Sequence, residues 1–369
     1  MQDGGEANST LDVTLLRHDG DDALAIGCLV TSAADGLVLV LPAPVSIDRS
    51  QFDVIQVTLA SSLGAVSWKD LDAVLLSDAA CLLALPWLSK HVSQLTTVAC
   101  SSGLLRLAAA LLEDVYLGQH VQFNVAGAVL SMFVTPDVLT ECCRSLTPAY
   151  RLSPMPLLGG GTVTAFCSAA DPGSVGWVVS RGDVSARAVV SRQHSIQPPL
   201  AFGAADDVPS APARCHVTLS GVSERAVVDA AAAAKLALAA GGCVLGITPC
   251  PFAIARFIVL LKETKVPMFW VGQKSEDVYD CMHRLAEYCN EDMLRQAYDR
   301  QAPFVLNNAF GEISALTQQE VSCGTECVVV GCCPSVHFVT AWTNFGRSAS
   351  RRPMSYSAFS ENKCDAACP

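Results

Sequence analysis

Two short runs, FDVIQVTL at 52–59 and LDAVLLS at 71–77, are apolar almost without interruption. Runs of this length without polar alternation suit strands covered on both faces, at the centre of a sheet. Such strands need a layer on either side, so the chain is committed to a layered α/β architecture. The surrounding sequence supplies the layers. Upstream, LDVTLL, ALAIGCLVTSA and LVLVLPAPV are separated by the turn signals HDGDD and ADG, the pattern of a β-meander. Downstream, ALPWLSKHV and SSGLLRLAAALLEDVYLG have helical spacing, with Ser101 or Ser102 placed to cap the second helix and Gly118 to stop it.

Three further strand candidates follow, GTVTAFC, SVGWVVS and ARAVVS. The stretch SRQHSIQPPLAFGAADDVPSAPAR then loses periodicity and carries four prolines, which predicts a domain junction. Beyond it, CHVTLSG, ERAVVDAAAAAKLALAAGG, CVLGITP, FAIARFIVLLKET and VPMFWVG read as strand, helix, strand, helix, strand. A helix across SEDVYDCMHRLAEYCNEDMLRQAYDRQ and a strand at ECVVVGC complete a parallel α/β unit. The expected organisation is one domain over 1–205, a second over 206–345 and a polar tail over 346–369.

Composition narrows the function. Residues are 51% hydrophobic against 16% charged, yet the longest apolar stretches are cut by Arg106, Glu113, Lys235 or proline, so a membrane span is not expected. The opening MQDGGEANST lacks the pattern of a secretory or mitochondrial leader, which leads us to expect the cytosol or nucleus. A net charge of −11 with only 24 Lys and Arg argues against a free-standing nucleic-acid binder. The one basic cluster, Arg347, Arg351 and Arg352, reads as a solvated tail. Most of the 17 cysteines lie in apolar runs and read as small buried hydrophobes. Cys323, Cys327, Cys332 and Cys333 are the zinc candidates, although their spacing lacks paired CxxC knuckles. LLGGGTV and AGGCVLG lack the glycine and lysine spacing of a phosphate cradle.

The segment LDAVLLSDAACLLALPWLSKHV at 71–92 resembles the strand-loop-helix of the metallo-β-lactamase/β-CASP RNA nucleases. Ser77 matches the end of that strand, and Ala84, Leu85, Pro86 and Trp87 match the start of the helix. CHVTLSGVSE, GGCVLGITPCPFAIARFIVLL, VPMFWVG and CVVVGCCPSVHF follow in the order of the family's β-CASP motifs. The resemblance implies a metallo-β-lactamase-like αββα sandwich followed by a β-CASP-type parallel α/β domain.

Active members carry His-x-His-x-Asp-His after the strand, where this chain has Asp78, Ala79, Ala80, Cys81, Leu82 and Leu83. A dinuclear zinc hydrolase needs imidazoles and carboxylates converging on both ions. The histidines are His18, His91, His120, His194, His216, His283 and His337, and none lies in this loop. The family's first metal element would fall at Leu41, Pro42 and Ala43, and its third, a His-containing glycine loop, at Gly159, Gly160 and Gly161. Pro249, Cys250 and Pro251 occupy the loop of a later motif. Asp183 stands where a bridging carboxylate would lie, with an ordinary surface turn as the alternative; His337 is a candidate phosphate contact, with plain packing as its alternative. The resemblance therefore implies the inactive branch, with neither catalytic residues nor a cofactor. The expected role is a nuclear scaffold that pairs with a catalytic β-CASP nuclease of the Integrator subunit eleven kind, meeting RNA only indirectly. The rival expectation is an active metal-dependent hydrolase, or another α/β enzyme, with an unrecognised site.

Overall fold

A computed structural model describes residues 11–17, 25–32, 36–51, 54–158, 160–167, 171–181, 184–191, 215–220, 224–241, 243–248, 250–264, 266, 268–270, 272–291, 294–295, 328–331 and 354–358. The meander is present as β1 (Leu11–Arg17), β2 (Ala25–Ser32) and β3 (Gly36–Leu41), each antiparallel to the next. β4 (Ser46–Gln51) and β5 (Val54–Thr58) form a second hairpin, and β6 (Ala73–Leu76) runs parallel to β3. A 3₁₀ turn over Ala80–Ala84 and a single α turn, α1 (Leu85–Leu88), separate β6 from β7 (Thr97–Ser101). Pro86 sits in the first turn of α1, where its missing N–H leaves no bond unmade.

α2 (Ser102–Tyr116) is capped by Ser101, whose hydroxyl accepts the Leu104 N–H, and is followed by Gly118 at φ +70°, as its sequence predicts. The Ser101 hydroxyl also donates to the Gly173 carbonyl, so Ser101→Ala removes two bonds. The expected loss is about 1–2 kcal/mol, measured as a lower urea midpoint at unchanged slope.

Residues 119–157, which no pattern marked, fold as β8 (His120–Val125), β9 (Ala128–Phe133), α3 (Pro136–Arg144), β10 (Leu146–Ala149) and β11 (Pro154–Leu157). β12 (Gly161–Cys167), β13 (Val175–Arg181) and β14 (Val184–Ser191) continue from β11 as an antiparallel meander. β15 (Cys215–Ser220) lies between β14 and β2, parallel to both. The first strand beyond the expected junction is thus hydrogen-bonded into the large sheet.

That sheet runs β10-β7-β6-β3-β2-β15-β14-β13-β12-β11, with β1 on β2. It folds over on itself. Val38, Ala73 and Leu75 from one half share a core with Val163, Ala165 and Trp177 from the other. The closure is tied by Leu152 N–H donating to the Ala165 carbonyl at 2.8 Å. The smaller sheet is β4-β5-β8-β9.

After α4 (Glu224–Ala239), β16 (Cys243–Ile247), α5 (Pro251–Leu261), β17 (Met268–Trp270), α6 (Ser275–His283), β18 (Val328–Gly331) and β19 (Met354–Ala358) follow. Their sheet, β17-β18-β16-β19, is wholly parallel. The fold class is α/β, a doubled-over sandwich with helices packed outside it and a parallel α/β unit, as expected from the sequence. One core runs through both, joining Leu107 and Leu111 of α2 to Phe257 of α5 and Met282 of α6. Among the described residues no helix is long and apolar enough to cross a membrane.

Three local expectations change. β6 is buried along its whole length, but β5 alternates, with Gln56 exposed between buried Ile55 and Val57. β5 belongs to the smaller sheet, which covers only one of its faces. The long helix expected from Ser275 stops at His283 and gives way to a 3₁₀ turn over Ala286–Tyr288. The tail expected at 346–369 contributes β19, whose alternation of Met354, Tyr356 and Ala358 with Ser355 and Ser357 is a period-two signal.

Candidate functional site

Parallel strands present ligands at their carboxyl ends, and here those ends belong to β6, β7 and β16. At the end of β6, the Asp78 carboxylate accepts the Cys81 N–H at 2.9 Å and so nucleates the 3₁₀ turn over 80–84. The turn points inward. Ala79, Ala80, Cys81, Leu82, Leu83 and Ala84 are all buried, Leu82 and Leu83 completely. The Cys81 thiol donates to the Leu41 carbonyl at 3.3 Å, and burial, reinforced by the Asp78 carboxylate, holds it well above the ordinary thiol range. The side chains that the sequence resemblance sets against imidazole ligands are core packing in this turn.

The loop 171–174 covers the strand ends from the other side. Val175 N–H donates to the Ser77 carbonyl at 2.8 Å, and the Ser101 hydroxyl holds the Gly173 carbonyl. Gly173 adopts φ +82° and lies close against Gly103, which in turn abuts the Tyr288 ring. Within this loop Asp171 forms a buried ion pair with Arg256 of α5, the two side chains being 2% and 1% exposed. The Cys250 thiol also faces the Asp171 carboxylate, at 3.9 Å. Beside them the Ser77 and Ser174 hydroxyls are buried without a hydrogen-bond partner. Further out, Ser102 and Tyr288 share a hydroxyl–hydroxyl bond, and Arg106 pairs with Glu287 at 2.7 Å. The strand ends are plugged by protein groups satisfied mainly by one another.

The third metal element expected at Gly159, Gly160 and Gly161 is elsewhere. Gly160 and Gly161 line a cavity of about 20 Å³ with Asp72, Leu157 and Arg181, next to the amino end of β6. Antiparallel strands advance about 3.4 Å per residue, so the seven residues of β12 carry the chain from that cavity across to the strand ends. The loop after β12, not the one before it, reaches Ser77. Asp171 and Arg256 went unread in the sequence although both left a trace. Asp171 opens an Asp-Pro-Gly turn, and Arg256 is the single charge in PFAIARFIVLL.

The three histidines whose side chains are described, His91, His120 and His283, lie elsewhere. His91 donates Nδ1–H to the Trp87 carbonyl at 2.8 Å and stacks on the Trp87 ring. His120 packs on Phe133, and His283 on Tyr279. Cys28, Cys81, Cys100 and Cys167 are buried, as expected of small hydrophobes. Asp183, His337, Cys323, Cys327, Cys332 and Cys333 lie outside the described residues, as do Gly159, Pro249 and the basic cluster. Among the described residues no group of three or more His, Cys, Asp or Glu is placed to hold a metal ion. Among the described residues the donors at the strand ends do not fit a pair of zinc ions, because the Asp78 carboxylate caps its own turn, the Cys81 thiol is buried and the Asp171 carboxylate is neutralised by Arg256.

Fold and site together define an α/β sandwich protein in which, among the described residues, the ends of β6 and β7 are covered by buried protein groups. No protein-family model and no curated protein matches the sequence. Solved structures that align with it include the apo state of the chemotaxis sensor ODP from T. denticola, at 11% identity over 50% of this chain and 65% of that one. The Rm3 metallo-beta-lactamase aligns at 17% identity over 48% and 61%. The metallo-beta-lactamase fold protein YhfI from Bacillus subtilis aligns at 16% identity over 52% and 65%. The TM-score is 0.28 in each case, and this chain spans less than two thirds of each of those proteins.

Proposed function

We propose that this chain is a non-catalytic member of the metallo-β-lactamase/β-CASP nuclease class, acting as a binding subunit rather than as a hydrolase. The observation that carries the proposal is the buried turn at 79–84, where the motif resemblance calls for metal ligands and the side chains are core. The loop after Ser77, which reads as shorter than that of active members as well as ligand-poor, resembles Integrator subunit nine most, and next the inactive large homologue in the cleavage and polyadenylation specificity factor. On this reading the partner is a histidine-complete β-CASP nuclease, such as an Integrator subunit eleven-like chain, within a nuclear RNA 3′-end processing complex. RNA would be met through that partner, which accords with a net charge of −11.

Two measurements on the full chain test it. Purified protein is expected to hold far less than one zinc per chain by elemental analysis and to leave RNA intact with Zn²⁺ or Mn²⁺ added. Co-expression with a histidine-complete β-CASP nuclease is expected to yield a complex that survives gel filtration. Stoichiometric metal together with RNA cleavage would instead establish the hydrolase reading. Failure to bind any such nuclease would remove the scaffold role.

A further inference from the structure

Most edge strands of the three sheets are blunted. β1 carries Asp12, Arg17 and a break in register, and β4 carries Asp48, Arg49 and another break. β10 contains Pro148, β11 contains Pro154 and Pro156, and β17 is three residues long. Charge, irregularity, proline and shortness each keep an edge from pairing with another chain. β9, the edge of the smaller sheet, has none of them. It pairs with β8 in unbroken register from Val125 and Ala128 to His120 and Phe133, and it is apolar apart from Ser131.

The tight turn at Ala126 and Gly127, at φ +50° and +84°, closes this hairpin. Antiparallel strands turn both backbone groups of alternate residues away from the partner strand. Asn124, opposite Val129, offers its carbonyl to Leu59 on the far side, while Val134 bonds back to Gln119, which fixes the alternation. The residues of β9 whose N–H and C=O groups face outward are therefore Val129, Ser131 and Phe133. Their side chains are exposed as well, Val129 at 60% and Phe133 at 48%.

We propose that β9 is a self-association edge, on which β9 of a second copy of this chain pairs antiparallel about a two-fold axis at Ser131. The outward N–H groups of each copy then meet the outward carbonyls of the other. Val129 of one copy lies opposite Phe133 of the other, a favourable β-branched and aromatic pair, and Ser131 lies opposite Ser131. The half-buried Leu130 and Met132 are covered from the edge. Charge selects this occupant. From 115 to 136 the chain has no Asp, Glu, Lys or Arg, although its net charge is −11. Two copies repel each other elsewhere but can touch here without like charges meeting, and a charged partner finds nothing to pair with. Each copy uses the same edge, so the pairing closes at two. The inference concerns the chain alone and is independent of the nuclease partner proposed above.

Sedimentation of the full chain tests it. The wild type is expected to pass from monomer to dimer between about 1 and 100 μM, as suits a small interface. Ser131→Lys sets like charges opposite each other on the axis and should stay monomeric throughout, with an unchanged thermal melt at dilute concentration because the position is exposed. Hydrogen exchange locates the contact: the Val129, Ser131 and Phe133 amides should gain about tenfold protection in the concentrated wild type and none in the variant. Should the variant not fold, those wild-type amides decide: protection that rises with concentration supports the pairing, and its absence ends it. A monomer at every concentration, a dimer that survives Ser131→Lys, or protection that appears only when a β-CASP nuclease is added would overturn the second copy as occupant.

Discussion

Arg256→Met is expected to destabilise the chain by about 3–5 kcal/mol, because it strands the Asp171 carboxylate in a dry site without its cation. Asp171→Leu is expected to do the same from the other side, leaving a guanidinium buried on a helix that is otherwise apolar. The double replacement should recover most of the loss, since two apolar side chains of similar size restore packing without an unpaired charge. Equilibrium denaturation of the two single variants and the double variant forms the cycle. Additive losses would mean that the two groups do not act as a pair, and the plug described above would have to be abandoned. The pair also links the sandwich to the parallel unit, joining residues 85 positions apart. Each single variant should therefore raise proteolytic nicking near α5 before global unfolding.

The second large effect is expected from rebuilding what the family resemblance says is missing. Ala80→His with Leu82→His restores a His-x-His spacing to the turn after β6. The two positions are 3% and 0% exposed and face the core rather than a cleft. Each imidazole must displace packed neighbours and bury polar nitrogens, at about 1–3 kcal/mol apiece for overpacking and a comparable amount for the lost hydration. The double variant should lose most of its stability and gain no zinc. A thermal melt with and without Zn²⁺ checks both: a variant that melts no earlier than the wild type, or that is raised by Zn²⁺, would show that the turn still frames a metal site.

Much of the layer order was readable because it depends on local pattern. β6 is apolar at every position and sits buried at the centre of its sheet, Ser101 caps α2, and Gly118 takes the positive φ that stops it. The same logic misjudged β5, whose run looks equally apolar but whose sheet covers one face only. It also passed over 119–157, where edge strands carry exposed Val129 and Phe133 and the alternation is blurred. The apolar character of the turn at 79–84 was legible, and its side chains are buried. The ion pair at the strand ends was not, because Asp171 and Arg256 signal only an isolated turn and an isolated charge until folding brings them together.

By itself the sequence determined the α/β layering, the helix caps and the absence of imidazoles from the turn after β6. These follow from residue periodicity, backbone conformational preference and side-chain chemistry, all of which act within a few positions. Only the tertiary structure decided that the large sheet doubles over, that β12 carries the chain across the sandwich so that 171–174 reaches Ser77, and that Arg256 meets Asp171 there. Those outcomes depend on which distant segments exclude water from one another, and that choice is made by the whole core rather than by any local stretch of chain.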